Sequence, residues 1–400
     1  MDTQNELKTL SDQVIMNTYA RYPIVLTKGK DCIVWDNNNT SYIDFIAGIA
    51  VCNVGHGNES IAQAIYEQAK TLVHVSNLYY TEPQIRLANW LTHHSFADKV
   101  FFCNSGAEAN EAAIKLTRKY FYDKGQTDRF QIITMKHSFH GRTMATLTAT
   151  GQEKVKKGFA PYVPGFSFVP FNDLDAVKNA INANTAAIML EPIQGEGGVC
   201  CPDTDYLPKL RQLCDDHGIL LIFDEIQTGM GRTGCLFAHE HYQIVPDIMT
   251  LAKGIANGLP MGCMLAKDSV AKSFSAGSHA STFGGNPVAA SAAMAMIQLY
   301  LKNNIIEHCR EIGAYFKQQL DSLNQSHEII KEVRGKGLLL GIVLDTDGAP
   351  FVDLCLKKGF LINCIQGNIL RFAPPLIITK EHIDSLIQCL DSLFKGKASH

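Results

Sequence analysis

Two short apolar runs end in residues that can do chemistry. Leu220-Leu221-Ile222-Phe223 delivers Asp224, and Ile248-Met249-Thr250-Leu251 leads into Ala252-Lys253-Gly254. Open α/β sheets gather their ligands at the carboxyl ends of strands, so both residues stand where a ligand would bind. Each alone has a plain alternative: a strand-end Asp caps a turn, and a strand-end Lys is solvated. As a pair they suit pyridoxal phosphate. The carboxylate would keep a pyridine nitrogen protonated, and a partly desolvated amine would attach to the aldehyde carbon.

Two further stretches fit the same ligand. Ser105-Gly106-Ala107 opens a helical pattern, and backbone N–H groups at a helix start, with little side-chain bulk around them, bind phosphate. An ordinary Ser N-cap reads the same way. Ser138-Phe139-His140-Gly141-Arg142-Thr143 offers a ring for stacking and an Arg that can grip a carboxylate. The alternative is a core Phe and a surface Arg. Gly229-Met230-Gly231-Arg232-Thr233-Gly234 matches GxGxxG, but Asp224 to Thr228 separate it from the strand, Cys235 to His241 is a poor helix start, and no acid sits near the required offset. An NAD-dependent oxidoreductase is the rival that this motif raises, and a loop passing close to other backbone explains the glycines better. His137 with His140, and His239 with His241, lack a second ligand pair, so no metal is expected. No GxSxG elbow occurs.

The elements that must hold these residues alternate. Ile61, Ala62, Ile65 and Ala69 have helical spacing; Val100 to Phe102 reads as a strand; Ala109, Ala112, Ala113, Leu116 and Tyr120 mark one helix face. Gln131 to Met135, Ala186 to Leu190, Ile219 to Phe223 and Asp247 to Leu251 are further strands, several continuously apolar as parallel strands covered on both faces are. The pattern predicts an α/β architecture around a mostly parallel sheet. A hairpin is expected over Cys32 to Trp35 and Tyr42 to Phe45, turning at Asn37-Asn38-Asn39. Helices are expected over Ala289 to Lys302 and Ile305 to Leu323, then a strand-and-helix tail: Gly337 to Leu344, Phe351 to Lys358, Leu370 to Phe372 and His382 to Phe394. Residues 1–58 and 291–400 are read as one smaller domain and 59–290 as the large one.

Composition narrows the function. Lys plus Arg number 36 against 39 Asp plus Glu, with no basic run, which argues against a nucleic-acid partner. Apolar stretches such as Gly337 to Leu344 fall far short of the roughly 20 residues a membrane span needs. The polar, acidic start Met1 to Glu6 is unlike a secretory or mitochondrial signal. The 12 cysteines form no CxxC pair, and together with this start they point to a reducing cytoplasm.

Longer motifs carry a resemblance. Asp224-Glu225-Ile226-Gln227-Thr228-Gly229, Ala252-Lys253-Gly254 and Ser281-Thr282-Phe283-Gly284-Gly285-Asn286-Pro287 are similar to class III aminotransferases, over roughly residues 13 to 395. Val75 to Tyr79, Phe102 to Glu111 and His137 to Gln152 resemble, within that class, the acetylornithine aminotransferases of bacterial arginine synthesis. The resemblance implies the fold-type I architecture of pyridoxal-phosphate enzymes: a large domain with a mostly parallel central sheet, and a smaller α+β domain from both termini. It also implies a homodimer. The implied reaction moves the terminal amino group of N2-acetylornithine to 2-oxoglutarate, giving N-acetylglutamate 5-semialdehyde and glutamate. Siblings of the class use succinylornithine, ornithine, N-succinyl-diaminopimelate or 4-aminobutyrate.

The resemblance also implies roles. Lys253 is the Schiff-base lysine and the acid–base group; Asp224 pairs with the pyridine nitrogen, and Gln227 reaches the ring hydroxyl. Phe139 stacks on one ring face and Ile226 packs on the other. Ser105, Gly106 and Ala107 hold the phosphate, with Thr282 added from the partner subunit. Arg142 takes the α-carboxylate of the acetylated amino acid with Ser281 nearby, and Arg371 takes that of glutamate. Glu196 pairs with Arg371 when the other substrate is present; a surface ion pair is the alternative for Arg371, and a structural acid for Glu191. The chain departs from the family where it has Asn39 and Thr40 instead of a hairpin Gly, where it lacks a Pro near Gly57-Asn58-Glu59, and at Ala280, where Gly is usual.

Overall fold

In the computed structural model, which describes residues 3–397, the apolar runs assemble into one seven-stranded sheet. Its order is Lys99–Cys103, Gly262–Ala266, Ile248–Leu251, Leu220–Asp224, Thr185–Leu190, Gln131–Met135 and Phe166–Val169. Alternation across the strands explains why continuous apolar runs are needed. Leu220 and Ile222 pack with Ala112, Ala113 and Leu116 of the helix Gly106–Asp123 on one face. Leu221 and Phe223 pack with Leu207, Leu210 and Cys214 of the helix Tyr206–His217 on the other. Each buried Leu or Ile contributes about 1.5–3 kcal/mol.

The antiparallel strand of this sheet, Gly262–Ala266, is absent from the sequence reading. It lies between Lys99–Cys103 and Ile248–Leu251, pairing Gly262 with Cys103 and Cys263 with Leu251. A Cβ at Gly262 would stand 2.4 Å from the carbonyl oxygen of Ser105. The strand thereby brings the start of the Gly106–Asp123 helix beside the strand that leads to Lys253.

The remaining chain folds from both ends. The expected hairpin forms as Ile33–Asp36 and Ser41–Asp44, with Leu26–Lys30 as an unexpected third strand. Asn39 turns it at φ 62°, so a residue that tolerates the left-handed region stands in for glycine. Phe360–Leu361 from the C-terminal region pairs in parallel with Ser41–Asp44. A second sheet, Ile330–Lys336, Leu339–Leu344, Ile369–Phe372 and Asn363–Ile365, is wholly antiparallel. Gly337 is not strand but the turn before Leu339, at φ 56°, and a Cβ there would meet Thr233 backbone at 2.4 Å. The helices Gln4–Val14 and Glu82–His93 are likewise additions to the sequence reading.

The Gly229–Gly234 loop is the close backbone passage expected of it. Gly231 and Gly234 have φ of 85° and 90°, and a Cβ at Gly229 would lie 2.8 Å from the Glu225 carbonyl oxygen. A short 3-10 turn, Ala238–Tyr242, follows it rather than a phosphate-binding α-helix. Within the loop, Arg232 is 1% exposed and donates to the carbonyls of Leu338 at 3.1 Å and Pro374 at 2.5 Å and to Asn53 Oδ1 at 2.7 Å. Phe45, Phe316 and Phe372 pack with ring centroids 5.3–6.5 Å apart. These contacts join the N-terminal segment, the sheet loops and the C-terminal region.

Candidate active site

A cavity of about 420 Å³ opens at the carboxyl ends of the strands that carry Asp224 and Lys253. Ser105, Gly106, Ala107, Phe139, Arg142, Glu196, Ile226 and Gln227, all singled out from sequence, line it together with those two. Five separate chain segments therefore converge on one space.

Ser105 is the N-cap of the helix Gly106–Asp123: its Oγ accepts from the Glu108 N–H at 3.2 Å. Ordinary capping does not compete with binding an anion here, because the cap leaves other first-turn N–H groups free to point outward. Gly106 is required by packing. A Cβ there would meet the Ile226 side chain at 2.7 Å, and one at Gly141 would meet Ala107 at 2.8 Å. The wall is thus kept low where the helix start faces the cavity.

Asp224 is 3% exposed and held by three donors. Asn110 Nδ2 donates to Oδ2 at 2.7 Å, His140 Nδ1 lies 2.8 Å from the same oxygen, and the Ile226 N–H donates to Oδ1 at 3.1 Å. Thr250 Oγ1 in turn donates to Asn110 Oδ1 at 2.7 Å. Asn110, His140 and Thr250 have no assigned role in the sequence reading. The signal for Asn110 is its place among Ala109, Ala112 and Ala113 on a buried helix face, where an amide needs a partner. His140 Nε2 is buried and without a partner among the described residues.

Lys253 begins a 3-10 turn with φ 48°, a strained conformation for a residue with a side chain. Burial pushes its ammonium below the usual lysine range and Arg371 adds to the fall, while Glu196, Asp224 and Glu191 oppose it. The amine is moved toward the neutral form that can accept a proton or attack a carbonyl carbon. Burial also raises Glu191 to about 7, with His140 opposing and Asp224 adding to it. Its carboxyl accepts from the Phe139 N–H and the Gly195 N–H, each at 3.2 Å, so Glu191 ties two cavity loops together.

Arg371 is 2% exposed, which removes the surface-pair alternative. Its Nη1 bonds Glu196 Oε1 and reaches Gln227 Oε1 at 3.3 Å, while Gln227 Nε2 donates to Glu196 at 3.2 Å. The Gln227 amide is thus engaged with this ion pair at both ends. Glu196 is held below the usual carboxylate range: burial raises it, but Arg371 and Lys253 outweigh that. Arg142 is exposed at the cavity wall, its guanidinium 5.5 Å from the Phe139 ring centroid. Ser281 is linked to the cavity wall through Asn104 Nδ2 at 3.3 Å, whereas Thr282 lines a different hollow and is exposed in the single chain.

The residues fit pyridoxal phosphate. A helix start stripped of side chains suits its phosphate, a fixed carboxylate its ring nitrogen, and a desolvated lysine its aldehyde. Comparison with known proteins agrees. Residues 14–394 match the family model described as aminotransferase class-III. The acetylornithine aminotransferase of Methanocaldococcus jannaschii is 52% identical over 95% of this chain and 95% of its own length. That of Caldanaerobacter subterraneus subsp. tengcongensis is 50% identical over 96% of this chain and 98% of its own length. Among solved structures, the ornithine aminotransferase of Toxoplasma gondii ME49 superposes with a TM-score of 0.96 at 32% identity, covering 100% of this chain and 96% of that one. The nicotinamide reading is overturned by these matches and by the loop geometry at Gly229–Gly234. With such residues at the strand ends and such relatives along its whole length, the chain belongs to the class III aminotransferases, enzymes dependent on pyridoxal phosphate.

Proposed function

We propose that the chain transfers the terminal amino group of N2-acetylornithine to 2-oxoglutarate, a step of arginine synthesis. The observation that carries this reading is a pair of separate carboxylate grips, an open one at Arg142 on the cavity wall and a covered one at Arg371, which is bonded to the wall residues Glu196 and Gln227. A substrate entering by its side-chain amine places its α-carboxylate far from the reacting nitrogen, within reach of Arg142. Glutamate, entering by its α-amine, needs a cation close to the reacting carbon, and Arg371 serves once Glu196 moves aside. The acetylornithine aminotransferases at 50% and 52% identity support the acylated amine over its siblings.

Bound in the cavity, pyridoxal phosphate supplies an electron sink for the pair left when a substrate carbon loses its proton. The chain does the rest. Ser105, Gly106 and Ala107 would hold the phosphate by backbone N–H groups, and Phe139 and Ile226 would confine the ring. Asp224 would keep the ring nitrogen charged, and Gln227 would serve the ring hydroxyl. Lys253 would hold the aldehyde of the cofactor and, once freed by substrate, its Nζ would serve as the group that accepts and returns the proton. Thr282 and Ser281 act in the site of a second copy of the chain. A dimer is supported by the exposure of Leu78, Tyr79, Tyr80 and Phe283 on the loops around them. We assign residues 1–58 and 291–400 to the smaller domain and 59–290 to the larger, residues 1–2 and 398–400 lying outside the described residues; the pairing of Phe360–Leu361 with Ser41–Asp44 supports this, and the second boundary falls within the helix Pro287–Asn303. Twelve free thiols support a reducing cytoplasm.

The test is kcat/KM for acetylornithine, succinylornithine, ornithine, N-succinyl-diaminopimelate and 4-aminobutyrate with 2-oxoglutarate. Acetylornithine is expected to lead. A clear preference for free ornithine or 4-aminobutyrate overturns the substrate assignment and leaves the aminotransferase standing.

A further inference from the structure

A second cleft, of about 670 Å³, is lined by other residues of the segment 191–200 that also lines the cavity described above. Lys136, Lys317, Arg334 and Lys336 line it, and the one carboxylate among its lining residues is Glu332. Arg334 pairs with Glu332 at 2.6 Å, and Lys317 with Asp321 at 3.1 Å. Lys136 and Lys336 have no ion-pair partner among the described residues. Two ammonium charges are therefore left uncompensated in a concave wall, although the chain as a whole carries a net charge of −3. Like charges gathered in a cleft repel one another and focus the field on whatever enters. The four cations come from three distant stretches, at 136, 317 and 334–336, so no basic run reveals them in the sequence.

We propose that this cleft is a binding site for a small dianion, a dicarboxylate or a phosphoryl compound, distinct from the catalytic cavity. Its charge matches the two unpaired lysines, and the space holds a molecule of substrate size. The ring of His137 lies on the same wall and adds a further donor or acceptor.

The site is wired to the catalytic cavity through the backbone. Gln194, Gly197 and Cys200 line the cleft, while Glu191 and Glu196 of the same segment line the cavity. Gln194 exchanges backbone hydrogen bonds with Cys200 at 3.0 Å each way, and its Nε2 donates to the Lys136 carbonyl at 2.9 Å. The Gly198 carbonyl accepts from Arg334 at 3.4 Å. An anion drawing Lys136 and Arg334 together would stiffen the strap that carries Glu196. Resting on the proposed reaction, the consequence is that the anion changes how readily Glu196 uncovers Arg371, and so changes KM for 2-oxoglutarate.

The test uses holoenzyme reduced with borohydride, which keeps the phosphate cradle filled, and titrates inorganic pyrophosphate and, separately, succinate by calorimetry at low ionic strength. One saturable site per chain is expected beyond any seen at the substrate grips, weakened about tenfold or more in Lys136→Gln/Lys336→Gln. That variant should keep its kcat without added anion. Tighter pyrophosphate assigns a phosphoryl ligand, and tighter succinate a dicarboxylate. Equal binding by both proteins, or none by either, overturns the site. In turnover assays the tighter anion should shift KM for 2-oxoglutarate at least twofold in the parent and not in the variant. Failure of borohydride to fix any cofactor would sink the cofactor assignment instead, leaving the calorimetric comparison of unreduced parent and variant to judge the cleft.

Discussion

Asp224 and Glu196 close on the same cavity, yet their surroundings differ in kind. Asp224 sits at the end of a central strand, almost fully buried, with three donors from three segments fixed on its oxygens. Glu196 sits on a loop, with a side chain 28% exposed, and its partners are the Arg371 and Gln227 side chains. One carboxylate cannot move without stranding buried donors, each such loss costing about 1–3 kcal/mol. The other can swing out and be rehydrated. A site that must hold one cofactor and admit two differently shaped substrates needs both behaviours, and here they are assigned to different acids.

Breaking the chemistry altogether should give the largest effect. Lys253→Ala is expected to lower kcat by about 10⁴-fold or more, while the protein still retains the cofactor through the phosphate cradle, as equilibrium dialysis would show. Removing the fixed acid comes next. Asp224→Ala should reduce kcat by about 10²- to 10³-fold, and the stranded Asn110 and His140 donors should also lower Tm; near-normal turnover would refute the assigned role. Freeing the movable acid should act more gently and selectively. Glu196→Gln leaves Arg371 permanently available, so the ratio of kcat/KM for acetylornithine to that for glutamate should fall by roughly tenfold, with Tm little changed.

The smallest effect concerns stability away from the cavity, at a third carboxylate that is fixed as Asp224 is. Asp44 accepts from the Ile46 and Ala47 N–H groups and lies 2.8 Å from His56 Nε2. Its hydrogen bond, helped by Cys52 and opposed by burial, raises His56 to about 10. A raised folded-state pKa means that the native chain holds this proton more tightly than the unfolded one. The contribution is complete below pH 6.5 and disappears as pH climbs toward 10. Urea unfolding of the parent should therefore lose stability across that window, and His56→Gln should flatten the loss.

Much of the fold and of the site is legible in the amino-acid order. Asp224 and Lys253 stand out because each ends a short apolar run, and sheet geometry puts such ends together. Spacing alone separates the Gly229–Gly234 loop from a dinucleotide fingerprint. What the order of residues hides depends on contacts between distant positions. Asn110 and His140 meet Asp224 across separations of 114 and 84 residues, and nothing local marks His140 as its partner. Gly262–Ala266 escapes a reading by pattern because Gly-Cys-Met-Leu-Ala has little β-branching, so its pairing partners rather than its own propensity make it a strand. Gln227 is expected at the ring hydroxyl, and the Arg371–Glu196 pair that occupies its amide becomes visible only when three chain segments are brought together.

Gly254, directly after the lysine, has a quieter implication. A methyl group there would fall 2.3 Å from the side-chain nitrogen of Asn53, which donates to the Met230 carbonyl and Tyr300 Oη while Asn53 Oδ1 accepts from Arg232. The reactive amine is thus propped from behind by residues made some two hundred positions earlier in the chain. Lys253 is therefore expected to keep its aim only while the segment that carries Asn53 is seated, and a polypeptide shorn of that segment is expected to keep the lysine but lose its bearing.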